Sequence, residues 1–355
     1  MLGNSFDDQL IRSSDLSVDI GRLGHFLEQA IGVAGPMSVR QFQAGHSNLT
    51  YLVSINAQEL VVKRAPPGTT ARGAHDMGRE YRMLAALQGH YVYAPRPLAY
   101  CEDRSILGSP FLVMERSKGI IVHSNYPPEV SAATIRAQFE HLVDGLGDLH
   151  ALDINKCRLV SFGRPTGYRQ RQVSGWSKRL ENASTPGMPA FQEIATWLEG
   201  NLPDEREPSV VVHNDFKLDN LVWHADDVAA LKTVLDWEMS TVGDPSFDLA
   251  CTLSFWIEEG DPPTFKALRG MPSARPGMMT RREAVERYCS RAGRPVMPLQ
   301  YLLCFGLFRR AVLEQQKYIR FVRGDTQDSR FASADKSVKT LHEMCWRAIR
   351  GEIPG

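Results

Sequence analysis

The first third of the chain contains three short segments rich in residues that favour strands. They are SVRQFQ at 38–43, LTYLVSI at 49–55 and ELVVKRA at 59–65. Short apolar runs separated by turn residues are typical of neighbouring strands. A helix that Asp19 can cap precedes them and is predicted to reach Ile31. These patterns predict a small antiparallel sheet with a helix beside it.

Further along, the pattern changes from strand-like to helical. After a Pro-Pro-Gly break, segment 78–88 has apolar residues at the spacing of a helix that can lean on the sheet. A short apolar strand, Phe111 to Met114, then ends in a charged, glycine-containing segment that would join two lobes. We therefore expect a first lobe at 1–115 and a second at 116–355.

Helical spacing dominates the second lobe, most clearly at 135–153 and 301–324. The stretch from Ser161 to Gly187 is rich in Gly, Ser and Arg and is predicted to be the least regular part. The long segment 301–324 also carries Arg309, Arg310, Glu314, Lys317, Arg320 and Arg323. The helical spacing of these charges favours a salt-bridged face in solvent over contacts with a ligand.

Composition and charge narrow the class of protein. The 355 residues are 43% hydrophobic, which suits one large or two modest globular domains. Lys plus Arg and Asp plus Glu each number 41, so the formal net charge is zero. The overall charge therefore does not favour nucleic acid or an anionic membrane as a partner. The N-terminus lacks the pattern of a signal peptide, and the six cysteines form no CxxC pair. We expect a cytoplasmic protein without a membrane span, and the oligomeric state stays open.

The most informative segment is VVVHNDFKLDNLVW at 210–223, in which a polar loop separates two apolar strands. His213, Asp215 and Asn220 have the spacing of a kinase catalytic loop, in which the Asp orients or deprotonates the acceptor hydroxyl and the Asn ligates Mg²⁺. Asp236, sixteen residues after Asn220, ends another apolar strand and can reach the same metal. Each of these Asp and Asn residues alone would be assigned to a turn, but the three together favour a site for phosphoryl transfer.

The first lobe contains candidates for holding the phosphates of ATP. Lys63 ends the apolar run ELVVK, and Glu80 follows 17 residues later in the predicted helix. A kinase lysine contacts the α- and β-phosphates, and a helix glutamate orients it. Either residue alone would be assigned to the surface, and their order before Asp215 is what favours the pair. Upstream, Ser47 and Asn48 would offer hydrogen-bond donors to the phosphates.

These motifs together resemble those of the aminoglycoside phosphotransferase and choline kinase superfamily, a branch of the protein-kinase-like fold. The superfamily's H-G-D-x-x-x-x-N motif appears as HNDFKLDN at 213–220, its second aspartate motif appears as LDWE at 235–238, and the resemblance extends over 35–324. It implies an α+β, protein-kinase-like two-lobe fold. The N-lobe would be a small antiparallel sheet that binds nucleotide, and the larger, mainly helical C-lobe would bind the acceptor.

The resemblance also implies roles for single residues. Met114 would lie at the back of the adenine pocket, and backbone groups of Glu115 and Ser117 would bond the adenine edge. Asp248 would support the catalytic loop from a helix.

The catalytic loop departs from the superfamily pattern at Asn214, which replaces a common glycine. Two residues after Asp215, Lys217 is similar to a protein-kinase lysine that steadies the γ-phosphate. A catalytic role for Lys217 and the role of a solvated loop lysine are equally favoured.

Five segments indicate the acceptor, namely AGHSNLTYLV, REYRML, PFLVMERSKG, RQVSGWSKRL and HNDFKLDNLV. They are most similar to the phosphotransferase branch found beside or fused to acyl-CoA dehydrogenases, which implies a hydroxyacyl-CoA as the small-molecule acceptor. An aminoglycoside is an alternative, although the second lobe lacks the density of acids that a polycation needs. A nucleotide-binding pseudokinase is another alternative, which the presence of Asp215 disfavours. A protein kinase is disfavoured because no A-P-E segment follows Asp236.

Overall fold

The first part of the chain forms a sheet lobe. The structure is a computed structural model that describes residues 10–11, 18–42, 48–66, 75–123, 125–164, 166–204, 208–268, 271, 275–326 and 328–353. The elements of the sheet lobe are β1 (Leu10–Ile11), α1 (Ile20–Ile31), β2 (Met37–Phe42), β3 (Leu49–Ile55), β4 (Gln58–Arg64), α2 (Met77–Leu87), β5 (Pro97–Cys101), α3 (Arg104–Leu107) and β6 (Phe111–Glu115). Six of them form one antiparallel sheet in the order β1-β2-β3-β4-β6-β5.

The rest of the chain forms a helical lobe with two small sheets. Its elements are β7 (Ile120–Ile121), α4 (Ala132–His150), α5 (Tyr168–Asn182), α6 (Gln192–Gly200), β8 (Val210–Val212), β9 (Leu221–Trp223), β10 (Leu231–Val234), β11 (Thr241–Gly243), α7 (Pro245–Leu253), α8 (Pro263–Lys266), α9 (Arg281–Ala292), α10 (Leu299–Val322) and α11 (Ala334–Ile349). The small sheets have the orders β10-β9-β7 and β11-β8. The described part of the chain contains no helix that is long and apolar enough to cross a membrane.

Local sequence signals explain the elements of the sheet lobe. The Asp19 side chain accepts a hydrogen bond from the Arg22 N–H at 3.0 Å at the start of α1, and Gly32 ends that helix with a φ of 69°. In β3, Tyr51, Leu52, Val53 and Ile55 are buried, so both faces of the strand contribute to the core. The predicted sheet, its leading helix and α2 are therefore confirmed.

The core of the helical lobe supports the polar loops that connect its short strands. Trp223 at the end of β9, Trp237 after β10 and Phe247 in α7 are all at most 1% exposed. Burying a side chain of this kind stabilises a fold by about 1.5–3 kcal/mol. Anchors on both sides of each loop leave the loop little freedom to move.

One regular element was missed in the sequence. The segment from Ser161 to Gly187 was predicted to be irregular, but it contains the fifteen-residue helix α5. Val173, Trp176 and Leu180 are its buried stripe, and polar residues cover the remaining sides. Such a narrow apolar stripe gives a weak helical signal against a background of Arg, Gln and Ser.

Candidate active site

The loop between β8 and β9 is held from beneath by Asp248 of α7. Its carboxylate accepts hydrogen bonds from the backbone N–H of His213 at 2.6 Å and of Asn214 at 2.7 Å. His150 of α4 contacts the same carboxylate at 3.1 Å. Burial alone would raise the pKa of Asp248, but hydrogen bonds from His150 and His213 outweigh it and the pKa lies below its ordinary value. An ionised Asp248 thus fixes the start of the loop.

His213 is a structural residue at the base of the loop. Its Nδ1 accepts a hydrogen bond from the Asp215 N–H at 3.2 Å, so its Nε2 carries the proton and donates to the Leu235 carbonyl at 2.9 Å. Burial lowers the pKa of His213, which keeps the ring neutral. The ring thereby ties Asp215 to the strand end that leads to Asp236.

Asp215, Asn220 and Asp236 lie together where these strands end. Nδ2 of Asn220 donates to Oδ2 of Asp215 at 2.9 Å and to its backbone carbonyl at 2.8 Å. These two bonds orient the amide, so its oxygen is the group left for another partner. The backbone N–H of Leu235 donates to the Asn220 carbonyl at 2.7 Å, which places Asp236 next to the loop.

Lys217 points back toward the carboxylate of Asp215. Its Nζ lies 3.4 Å from Asp215 Oδ2 and 3.5 Å from Asp219 Oδ2. The same Nζ lies 4.9 Å from the centroid of the Phe255 ring. Burial alone would lower the pKa of Lys217, but Asp215 and Asp219 outweigh it and the pKa is raised. Lys217 is therefore a charged part of the cleft and not a solvated loop lysine.

Across the cleft, Lys63 of β4 is surrounded by three carboxylates. Its Nζ lies 2.8 Å from Asp236 Oδ1, 3.1 Å from Glu80 Oε1 and 3.1 Å from Glu238 Oε2. We call Lys63, Glu80, Asp236 and Glu238 the Lys63 cluster. It joins the sheet lobe to the segment after β10, because Lys63 and Glu80 come from one lobe and the other two residues from the other.

The Lys63 cluster has more negative than positive charge. Burial, with Asp236 and Glu80 adding to it, raises the pKa of Glu238 to about 7 against the opposing effect of Lys63. Burial also raises the pKa of Glu80. For Asp236, burial acts to raise the pKa, but Lys63 outweighs it and the pKa is lowered. Glu80 and Glu238 therefore retain protons more readily than exposed glutamates do, and an additional cation in the cluster would lower their pKa values.

The predicted phosphate-covering residues are only partly within the described chain. Ser47 lies outside the described residues. Asn48 is described and donates from Nδ2 to Glu238 Oε2 at 2.5 Å, while its Oδ1 lies 3.0 Å from His75 Nδ1. Asn48 thus connects the start of β3 to the Lys63 cluster.

The segment after β6 forms the edge of a cleft of about 1210 Å³. The cleft is lined by the Lys63 cluster, Asp215, Lys217 and Asn220, and also by Met114, Glu115 and Ser117. The Glu115 N–H already donates to the Arg96 carbonyl at 3.0 Å. Ser117 accepts a hydrogen bond from the Thr233 hydroxyl at 2.9 Å. All predicted site residues that the structure describes thus line one cleft.

The donor atoms near Asp236 suit Mg²⁺. Among the described residues no group of three or more His, Cys, Asp or Glu side chains is arranged to hold a metal. Mg²⁺ is usually held by one or two carboxylates together with substrate phosphates, so it does not need such a group. The carboxylate of Asp236, 37% exposed, and the oriented amide oxygen of Asn220 are hard oxygen donors of this kind.

The helix α10 contributes residues that the sequence assigned to a solvent face. Arg309 and Arg310 are only 3% and 6% exposed and line the cleft, so that prediction was wrong for both residues. Among the described residues of this helix, the predicted salt bridge is formed by Lys317 and Glu314, at 2.7 Å. The run YLLCFGLF before Arg309 is apolar on all sides, which is the signal of a fully buried helix and could have revealed the error.

The comparisons with known proteins agree with this arrangement. The sequence profile of the phosphotransferase enzyme family, APH, matches residues 38–283. The chain belongs to this family. Within it, "Acyl-CoA dehydrogenase family member 11" of Rattus norvegicus is 34% identical over 92% of the chain and 42% of the relative. "Acyl-CoA dehydrogenase family member 10" of Mus musculus is 32% identical over 91% of the chain and 30% of the relative. The chain thus spans less than half the length of these curated relatives.

Solved structures show the same phosphotransferase fold. A "putative aminoglycoside phosphotransferase" from Ralstonia eutropha JMP134 has a TM-score of 0.79 and 30% identity, covering 94% of this chain and 98% of that one. An aminoglycoside phosphotransferase in complex with GDP and kanamycin has a TM-score of 0.60 at 15% identity, covering 93% and 98%. The predicted protein-kinase-like α+β fold and the resemblance to the acyl-CoA dehydrogenase-associated branch are both confirmed.

Two side chains that line this cleft were overlooked in the sequence. Glu238 was quoted only as part of the LDWE motif, although it contacts both Lys63 and Asn48. The position of Glu238, two residues after the predicted metal ligand Asp236, could have indicated that it lies in the cleft. Phe255 was not considered, because it lies after α7 in a segment without a motif.

Proposed function

We propose that the chain is an ATP- and Mg²⁺-dependent kinase that transfers the γ-phosphoryl group to a hydroxyl of a small molecule, with a hydroxyacyl-CoA as the favoured acceptor. One observation carries the proposal. Asp215, Asn220 and Asp236 adjoin one another on one side of a cleft, and Lys63 reaches Asp236 from the other side. Phosphoryl transfer depends mainly on positioning and charge, and this arrangement provides both.

Asp215 would orient the acceptor hydroxyl. As the hydroxyl oxygen bonds to the γ-phosphorus, the bond between that phosphorus and its bridging oxygen breaks, and the hydroxyl proton passes to the carboxylate of Asp215. The products are a phosphate monoester and ADP. The hydrogen bond from Asn220 at 2.9 Å holds the carboxylate in place for this step.

Lys63 would hold the α- and β-phosphates, with Glu80 keeping its ammonium in position at 3.1 Å. Asn220 and Asp236 would ligate the metal through their side-chain oxygens. The metal held by these residues would supply positive charge to the phosphate oxygens. Lys217, 3.4 Å from Asp215, would add positive charge beside the transferred group.

The hinge after β6 would bind the adenine. The Glu115 N–H is engaged by the Arg96 carbonyl, so the contribution of Glu115 would come from its carbonyl oxygen. A donor would then be the N–H of Ser117. Met114 lines the cleft beside this segment and would pack at the back of the base.

The acceptor is proposed from two facts. The curated relatives are named as acyl-CoA dehydrogenase family members, which supports an acyl-CoA chemistry for the attached phosphotransferase. An aminoglycoside is the second candidate, because a solved relative binds kanamycin. That ligand is a polycation, however, and the cleft is lined by Lys and Arg side chains as well as by carboxylates, with Arg309 and Arg310 on the side of α10.

The test is an acceptor screen with ATP and Mg²⁺. Purified protein is incubated with a panel of 4-hydroxyacyl-CoAs, free hydroxy acids and aminoglycosides, and products are identified by mass spectrometry. Phosphorylation of a hydroxyacyl compound is expected. Turnover of an aminoglycoside alone would overturn the acceptor assignment, and nucleotide binding without any transfer would support a pseudokinase instead.

A further inference from the structure

Arg309 and Arg310 lie on the helical-lobe side of the cleft and differ in how their charges are satisfied. Neither forms an ion pair with a carboxylate among the described residues. Arg309 donates to the Asn214 carbonyl at 2.8 Å, and its guanidinium lies 5.0 Å from the Trp176 ring centroid. It therefore supports the catalytic loop from behind.

Arg310 makes the same kinds of contact but has one donor without a partner among the described residues. Its Nη1 donates to the Ser254 carbonyl at 2.8 Å, and its guanidinium lies 4.6 Å from the Phe255 ring centroid. Its Nε is buried and has no hydrogen-bond partner among the described residues. Burial lowers the pKa of Arg310 to about 10, which leaves it charged at neutral pH. A buried guanidinium with an unpartnered N–H lowers the stability of the fold unless an anion binds it.

Two acids lie near enough to act on the charge of Arg310, namely Glu314 and Asp219. Glu314, on the next turn of α10, contacts Lys317 at 2.7 Å, and Asp219 lies 3.5 Å from Lys217. Neither forms an ion pair with Arg310 among the described residues, so its positive charge is only partly balanced before a ligand enters the cleft.

The position of Arg310 suits the acceptor and not the nucleotide. Arg310 and Lys217 both contact the ring of Phe255, at 4.6 and 4.9 Å from its centroid. Lys217 in turn lies 3.4 Å from Asp215, the residue that would orient the acceptor hydroxyl. An anion bound to Arg310 would therefore lie beside the Phe255 ring that Lys217 also contacts, close to the reacting hydroxyl.

We propose that Arg310 binds a negatively charged group of the acceptor, a carboxylate or a phosphate, and so selects hydroxyl compounds that carry an anion. The proposal rests on the proposed function, because it assigns the acceptor side of the same cleft. It predicts a specificity opposite to that of a site for cationic antibiotics.

Matched ligands test the charge requirement and its source. The binding of four compounds to the protein with ADP and Mg²⁺ is measured by calorimetry: 4-hydroxypentanoate, its amide, its pantetheine thioester and its CoA thioester. The amide and the pantetheine thioester carry no anion, the acid carries a carboxylate, and the CoA thioester carries phosphates. At least one anionic compound should bind at least about tenfold more tightly than its neutral counterpart, as expected for a charge-assisted hydrogen bond. Equal binding of charged and neutral compounds, or no binding by either anion, would overturn the proposal.

Three variants then connect the preference to one residue. Arg310→Gln should remove the preference for the anion, and Arg310→Lys should keep part of it because the charge remains. Arg323→Gln is the matched control, since Arg323 is exposed near the end of the same helix and outside the cleft. A preference unchanged in Arg310→Gln would overturn the assignment. Thermal melting shows whether Arg310→Gln folds. If it does not fold, the binding of the four compounds to the unchanged protein still tests the preference for an anion.

The two proposals can fail separately. Anion-selective binding without phosphoryl transfer to any acceptor would refute the kinase and retain the subsite. Transfer to charged and neutral hydroxyl compounds with equal kcat/KM would retain the kinase and refute the subsite.

Discussion

The side of the cleft at the Lys63 cluster and the side formed by α10 carry incompletely balanced charge of opposite sign. In the Lys63 cluster three carboxylates surround one ammonium, whereas on α10 the guanidinium of Arg310 has no carboxylate partner among the described residues. Buried charges of one sign are stabilised by a ligand of the other sign. The first side thus suits a metal cation that accompanies phosphates, and the second suits an anion. The comparison indicates a cleft arranged for two different ligands that meet at Asp215.

The largest effect is expected where the two sides meet. Asp215→Asn removes the proton acceptor while keeping the shape of the side chain, so kcat should fall by about 10²–10⁴-fold, the usual contribution of a general base. ATP binding, measured by calorimetry, should be unchanged. Asp226→Asn, a change at an exposed carboxylate, is the control and should keep full activity. Undiminished kcat in Asp215→Asn would remove Asp215 from the mechanism.

The next effect tests the excess of negative charge in the Lys63 cluster. Asp236→Asn removes a proposed metal ligand, and kcat/KM should fall by about 100-fold because metal charge stabilisation is worth several kcal/mol. The Mg²⁺ concentration for half-maximal activity should also rise, unlike in Asp215→Asn. If only kcat falls and the Mg²⁺ dependence stays the same, Asp236 is not a metal ligand.

A smaller effect is expected from the glutamate that positions Lys63. Glu80→Gln removes one of three carboxylate contacts, and Asp236 and Glu238 still hold the ammonium. The kcat/KM for ATP should fall by about tenfold, the loss of one charge-assisted hydrogen bond. Glu28→Gln, exposed on α1, is the matched control. A loss as large as in Asp236→Asn would mean that Glu80 does more than position Lys63.

The smallest effect is expected at Lys217, which lies between the two sides. Lys217→Ala should lower kcat by about three- to tenfold, because one of several positive groups near the transferred phosphate is lost. Lys336→Ala at an exposed position of α11 should leave kcat unchanged. An unchanged kcat in Lys217→Ala would limit this lysine to a structural role.

Much of the fold could be predicted from the sequence because its signals are local. The apolar runs of β3 and β4, the Asp19 cap and the helical spacing of α2 all depend on near neighbours in the chain. The helix α5 was missed because its apolar stripe is narrow. The lobe boundary between residues 115 and 116 and the cytoplasmic location stay predictions.

Those residues of the candidate site that belong to sequence motifs could be predicted from the sequence. The spacing within 213–220 and the strand before Asp236 place those residues, and the structure brings them to one cleft with Lys63 and Glu80. The burial of Arg310 could not be derived from charge spacing, because it depends on Phe255 and Phe265 of other segments, whose rings cover its guanidinium. Tertiary packing decided which face of α10 became the wall of the cleft.

The activity proposed for the cleft is transfer of a phosphoryl group to an acceptor hydroxyl by way of Asp215. It can be followed by ³¹P NMR of a reaction that contains ATP, Mg²⁺ and a 4-hydroxyacyl-CoA, run in parallel with Asp215→Asn. A phosphate monoester resonance should grow together with ADP in the unchanged protein and should be absent from the variant over the same period. ADP that accumulates with inorganic phosphate and no monoester, or the same monoester from both proteins, would contradict the proposed activity.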